Sequence, residues 1–97
     1  MTIRWRPRAL GDLREIARYI AEHGSPASAE RVRRHLRTRI HRLQKHPRIG
    51  RPTSNPDIRI LPPTSYPYRI YYTVQGDDIV ILHIRHTARQ APDDLGL

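Results

Sequence analysis

Residues 66–89 read YPYRIYYTVQGDDIVILHIRHTAR, and the fold follows from how this stretch pairs with itself. Two runs rich in Tyr, Ile and Val flank the polar segment Gln75-Gly76-Asp77-Asp78, whose glycine can take positive φ. The stretch is therefore a β-hairpin. Side chains directly opposite one another in an antiparallel pair point the same way, so polarity indicates the register. A two-residue turn at Gly76-Asp77 sets Ile70 opposite His83 and mixes both faces. A three-residue loop, Gln75-Gly76-Asp77, groups Tyr68, Ile70 and Tyr72 with Val80, Leu82 and Ile84, and sets Arg69 and Tyr71 with Ile81, His83 and Arg85. The second register separates apolar from basic and is the expected one. One face is then core, and the other, half apolar and cationic, is the expected working surface.

Upstream, Thr2 to Trp5 reads as a short extended segment, and Pro7 fits the first turn of a helix, where its missing N–H costs nothing. Leu10, Leu13, Ile16, Ala17, Ile20 and Ala21 then recur at helical spacing over about four turns. Gly24 ends that helix. Ser25 is an N-cap and Pro26 a first helical residue for the next, along which Ala29, Val32, Leu36, Ile40 and Leu43 make one narrow apolar stripe. The two helices form an αα-hairpin whose stripes need a common surface. Residues 46–56, HPRIGRPTSNP, are turn chemistry throughout and are expected to be loop. Ile58 to Leu61 is a short strand cut off by Pro62-Pro63. Residues 87–97 are expected to be a loosely held tail, since Pro92 and Gly96 break any pattern there. The order β-α-α-β-β-β predicts an α+β fold, an antiparallel sheet with the αα-hairpin packed on one face. Whether the first strand pairs beside the second or the last stays open.

The chain has 97 residues, 37% of them hydrophobic and none of them Phe. That is enough for one domain, residues 1–97, with a modest core. Without cysteine there is no disulfide framework, no thiolate chemistry and no zinc–cysteine site. The segment MTIRWRPRAL lacks an apolar signal core, and no apolar run approaches a membrane span. A soluble cytoplasmic protein without membrane association, metal or cofactor is expected. The balance of 18 Lys+Arg against 9 Asp+Glu gives a formal net charge of +9, carried almost wholly by arginine. A single-signed arginine surface on so small a body points to an anionic partner, either nucleic acid or an acidic protein. The second helix concentrates it, with Arg31, Arg33, Arg34, Arg37, Arg39, Arg42 and Lys45 accompanied by Glu30 alone. A solvated face is the plain alternative, although so little negative charge leaves the row to repel itself.

Several positions together resemble the RelE/ParE superfamily of bacterial type II toxin–antitoxin systems. They are Trp5, Ala9, Asp12-Leu13 and Ile16, Tyr19-Ile20, Ser25-Pro26 and Ala29, Leu43, Pro47, Gly50-Arg51, Arg59, Leu61, Tyr68-Arg69-Ile70 and Tyr72. Ile79, Ile81-Leu82, Ile84, His86 and Arg89 complete the set. The resemblance spans nearly the whole chain and rests on order and spacing, since none of these residues is specific alone. It implies a toxin neutralised by a cognate acidic antitoxin, whose partly disordered segment orders on binding to give a hetero-oligomer. Arg31, Arg34, Arg37 and Arg42 are the expected antitoxin-binding residues.

The superfamily divides by target. RelE-like members cut messenger RNA on the ribosome, and ParE-like members inhibit DNA gyrase by binding. Cutting requires a proton acceptor, a donor for the leaving oxygen and fixed cations around the phosphorane. By resemblance, Arg89 lies where RelE-like members have an arginine after the last strand. Leu95 stands near the expected place of their carboxy-terminal tyrosine, and Arg48 and Arg51 replace a lysine pair. Guanidinium groups hold phosphate but do not shuttle protons. A minimal nuclease would need His86 or His83 as acid or base, with Arg69, Arg85 and Arg89 as clamps. The incomplete set, and the Ile81-Leu82-His83 strand similar to that of ParE, favour gyrase inhibition over the endonuclease alternative. Arg51, Arg59, Arg69, Arg85 and Arg89 are then the expected target- or phosphate-binding residues. A plain nucleic-acid-binding module is a third reading, for which affinity would fall steeply with salt. Each residue also has a structural alternative: His83 and Arg85 as an ordinary solvated sheet face, His86 bonded to backbone, Arg69 bonded to the tail, the tyrosines as core, and Arg51 closing the loop.

Overall fold

The computed structural model describes residues 1–88. Five strands and two helices follow one another as β1 (Thr2–Trp5), α1 (Pro7–His23), α2 (Pro26–His41), β2 (Arg51–Pro52), β3 (Ile58–Leu61), β4 (Tyr68–Gln75) and β5 (Asp78–His86), with a short 3-10 turn at Arg42–Gln44. The α+β class and the helical hairpin on one face of the sheet are as expected. The sheet order is β1-β5-β4-β3-β2, which places the first strand beside the last. That pairing is parallel, from Thr2 opposite Asp78 to Trp5 opposite Ile81, while all other neighbours are antiparallel. The sheet is therefore mixed. Within the expected loop, Arg51 and Pro52 pair with β3. A proline is tolerated there because an edge strand leaves one side of its backbone unpaired.

The helices start where their caps dictate. Pro7 and Pro26 occupy first-turn positions, and the Ser25 hydroxyl accepts the Ser28 N–H at 3.0 Å. Ala9 and Leu13 of α1, with Val32, Leu36 and Ile40 of α2 and Leu43 beyond it, bury against Tyr68, Ile70, Tyr72, Ile79, Ile81 and Ile84 of the hairpin. Trp5 and Ile3 close the β1 side of this core.

The expected hairpin register is not the one formed. Gln75 pairs with Asp78 and Tyr72 with Ile81, so the turn is the two-residue one at Gly76-Asp77, with Gly76 at φ +58°. Positive φ at the first central position alone is the II′ pattern, whose twist suits a hairpin. A β-bulge then intervenes. Tyr71 pairs with His83, Ile70 with Ile84 and Arg69 with Arg85, leaving Leu82 as one extra residue in β5. Strict alternation, on which the three-residue loop was argued, fails because a bulge resets the phase. Ile79, Ile81 and Ile84 consequently face the helices, whereas Val80 and Leu82, expected in that core, join Tyr71 and Ile58 in a separate apolar cluster, with Ile60 against it.

Tyr72 ties the loop to the core. Its buried hydroxyl accepts the Gly50 N–H at 2.8 Å, and a Cβ on Gly50 would lie 2.6 Å from that oxygen and 3.0 Å from the Ile60 carbonyl. Tyr72→Phe should lower stability by about 1–3 kcal/mol by stranding the Gly50 donor. Gly50→Ala should cost a similar amount, about 1–3 kcal/mol, through overpacking. Urea midpoints test both, and unchanged midpoints would mean that the 48–50 turn is not anchored here.

Candidate functional site: an arginine-rich sheet face

The bulge decides which polar side chains share a surface. Arg69 and Arg85 are directly opposite in the ladder, so two guanidinium stems leave the same face side by side, an unfavourable like-charge pairing. Arg69 Nη1 reaches the Thr87 carbonyl at 3.4 Å. Arg85 Nε is buried without a hydrogen-bond acceptor. No Asp or Glu among the described residues is ion-paired with either side chain. A buried guanidinium donor without an acceptor leaves desolvation uncompensated, which an incoming oxyanion would relieve.

His83 faces inward. It is only 8% exposed, its ring meets Tyr71 edge-on with centroids 6.5 Å apart, and its Nδ1 lies 3.8 Å from Asp12 Oδ2. Asp12, on α1, reaches the edge of β5 just beyond the end of β1. One carboxylate oxygen accepts the Ile84 N–H at 3.0 Å, and the other accepts from Arg8 Nε at 3.1 Å. The carboxylate thus takes over where the β1 ladder stops. His86 is partly buried in phase with Ile84, as its position in the strand implied. The Ala88 N–H donates to its Nδ1 at 3.0 Å, and its ring stands edge-on to Tyr68 at 5.5 Å. That bond places the ring hydrogen of neutral His86 on Nε2.

The five expected target-binding arginines do not form one surface. Arg69 and Arg85 share the open face, and Arg51, opposite Ile60, lies exposed near its far edge. Arg59 is opposite Tyr72 and so points to the helix side, because successive strand residues alternate faces. Its Nη1 donates to the Gly50 and Arg48 carbonyls at 2.6 and 3.2 Å, which fixes the loop. Arg89 lies outside the described residues. Arg31, Arg34 and Arg37 on α2, and Arg42 in the 3-10 turn that follows it, are all exposed. Arg31 donates to Ser28 Oγ, and the Arg37 guanidinium sits 5.7 Å from the Trp5 ring centre.

An open cleft of about 330 Å³ separates α1 from the end of the sheet, lined by Asp12, Glu15, Ile16 and Tyr19 against Tyr68, Ile84, Arg85 and His86. Burial pushes the Tyr68 phenol above its usual pKa, with Tyr19 adding to the effect, so that hydroxyl stays neutral at physiological pH. Asp12 is the residue that sequence reasoning missed as a structural support. Its signals were an acidic side chain beside the apolar stripe of the first helix and its place in the family resemblance. Among the described residues no group of three His, Cys, Asp or Glu side chains could hold a metal ion, and no helix is long and apolar enough to cross a membrane.

The family model for the ParE toxin of type II toxin–antitoxin systems matches residues 3–91. Toxin ParE3 of Caulobacter vibrioides is 33% identical over 84 residues, covering 84% of this chain and 81% of that protein. Toxin RelE2 of the same organism is 36% identical over 87 residues, covering 88% and 93%. A chain from the chromosomal ParDE toxin–antitoxin system of P. aeruginosa superposes with a TM-score of 0.81 at 26% identity, covering 89% of this chain and 95% of that one. A mixed sheet with a two-helix cover is thus the scaffold of a toxin, and this chain belongs to the ParE toxin family, within the RelE/ParE superfamily of type II toxin–antitoxin systems.

Asp12→Ala should unsatisfy the Ile84 N–H and cost about 1–3 kcal/mol. Amide exchange at Ile84 should accelerate more than at Ile70 across the ladder. Equal protection at Ile84 in both proteins would show that the carboxylate does not support the bulge.

Proposed function

We propose that this toxin acts by binding, in the ParE-like manner, with DNA gyrase as its target, and that an acidic antitoxin neutralises it in a hetero-oligomer in the cytoplasm. The observation carrying this reading is the composition of the open face. Arg69 and Arg85 offer permanently charged donors that no acid among the described residues pairs with, whereas His83 is buried against Tyr71 and Asp12. Guanidinium groups recognise oxyanions and do not exchange protons at neutral pH. The arginine pair binds an anionic group of the target, with Arg51 extending the surface. The exposed row Arg31, Arg34, Arg37 and Arg42 receives the acidic antitoxin segment, because α2 supplies only Glu30 to balance it.

The second reading is a ribosome-dependent endonuclease, favoured by the likeness to RelE2. In it His86, through Nε2, or His83 moves protons, while Arg69, Arg85 and Arg89 hold phosphate. Induced expression separates the two. Early arrest of replication with a DNA-damage response is the expected result, and immediate loss of translation with cut messages would transfer the assignment to the endonuclease.

Arg69→Ala and Arg85→Ala should each weaken gyrase inhibition about tenfold or more, on the scale of a lost charge-assisted hydrogen bond. His86→Ala should leave inhibition within about twofold, whereas a nuclease would lose orders of magnitude in rate. Dose–response curves in a supercoiling assay give both numbers.

A further inference from the structure

A second cationic group lies away from the open sheet face, on the flank of α2. His35 and Arg39 are half-buried there, with exposed Arg42 one turn further on. The spacing 35, 39, 42 sets the three side chains along one strip of helix surface. The segment joining β3 to β4, residues 62–67, closes the other side with Thr64 and Tyr66. His35 Nε2 lies 3.1 Å from Thr64 Oγ1, and its ring meets Tyr66 edge-on with centroids 5.0 Å apart.

No carboxylate balances this strip. Residues 62–67, PPTSYP, contain no charged side chain, and none of the ion pairs among the described residues involves His35, Arg39 or Arg42. Arg31, one turn before His35, adds a further positive charge, while Glu30 lies nearest Arg33, at 3.9 Å. Burial and then Arg42 lower the Arg39 pKa from its ordinary value. Burial, then Arg39 and Arg42, lower that of His35, so His35 is neutral at pH 7. A partly desolvated cluster of like charges is stabilised by an oxyanion held among them.

We propose that His35, Arg39, Arg42 and the Thr64 hydroxyl form a carboxylate-binding notch that receives an Asp or Glu side chain of the antitoxin's acidic segment, and that His35 takes up a proton as it binds. This rests on the antitoxin reading and adds residues and a pH dependence to it. The exchange balances with one proton drawn from solvent. In the proposed resting state neutral His35 carries its hydrogen on Nδ1, so that Nε2 accepts the Thr64 O–H. Protonated His35 instead donates Nε2–H to Thr64 Oγ1, and the threonine hydroxyl hydrogen is freed to donate to the carboxylate. Arg39 and Arg42 supply the charge. The recess favours a single carboxylate on a flexible stem, since the bulk of a nucleic-acid duplex meets the fully exposed arginines first.

The pH dependence has a definite sign. The bound carboxylate favours the imidazolium, so affinity rises as pH falls towards the free His35 pKa and levels off once the free ring is itself protonated. One linked proton limits the slope to about tenfold per pH unit.

The test uses the unmodified full chain and a short glutamate-rich peptide as probe, with a short DNA duplex of equal charge as the second arm. The His35 ring is followed by NMR through a pH titration. The expected result is a higher His35 midpoint with peptide, no shift with duplex, and peptide affinity that rises severalfold between about pH 7.5 and pH 6. His35→Gln should flatten that pH profile, and Arg39→Gln should weaken binding about tenfold, with urea midpoints confirming that both variants fold. A His35 midpoint unmoved by peptide, or moved equally by duplex, overturns the proposal. If gyrase is not inhibited while the His35 response persists, the target assignment alone fails. If the antitoxin neutralises the toxin while His35 stays silent, this notch alone fails.

Discussion

The Asp12 carboxylate on the edge of β5 is the contact that organises the functional half of this toxin. Where β1 ends at Trp5, β5 would expose an unpaired amide at Ile84, and Asp12 accepts that N–H while also bonding Arg8. The same stretch of β5 carries Leu82, the extra residue that shifts the ladder against Tyr71 and Tyr72. Bulges commonly sit where a strand must re-aim a side chain. Here the shift returns Ile84 to the core and sets Arg85 opposite Arg69. A helix carboxylate and one inserted residue therefore decide where the guanidinium pair appears.

The distribution of acids explains why the arginines differ in role. On α1, Arg18 is held by Glu15 and Glu22, and Arg8 by Asp12; Arg4 on β1 meets Asp78. The pairs in which both partners are exposed contribute little to stability, but together these contacts occupy four of the chain's nine carboxylates. What is left on α2 and on the open sheet face is almost purely cationic. Self-repulsion there is a standing cost to the free chain. The cationic surfaces thus come from an uneven allocation of charge.

Tyr72 and Arg59 show how residues that resemble a functional pattern can serve the fold. Arg59 donates into the Arg48 and Gly50 carbonyls, and Tyr72 accepts from the Gly50 N–H. Together they hold the loop between α2 and β3 against the sheet. Burial raises the Tyr72 phenol pKa above its usual value, with the Gly50 bond and Arg59 opposing part of that shift. An arginine expected to face the target is therefore a clamp on backbone. Strand alternation places it on the helix side.

By itself the sequence determined the order of the two helices and of every strand but Arg51–Pro52, both helix starts, the Ile58–Leu61 strand and the cationic excess. Each of these is local: Ser25 and Pro26 cap their own helix, Pro62-Pro63 stop their own strand, and arginines outnumber acids wherever they fold. Tertiary structure decided the rest. The parallel partner of β1 arrives more than seventy residues later, and no local signal fixes which strand it joins. The faces of β5 were misjudged because polarity alternation is blind to an inserted residue, and Leu82 is as apolar as its neighbours. His83 looked available on a strand, yet Asp12 and Tyr71, distant in sequence, enclose it. Pairing and enclosure depend on long-range contacts, and these became visible only once the chain was packed.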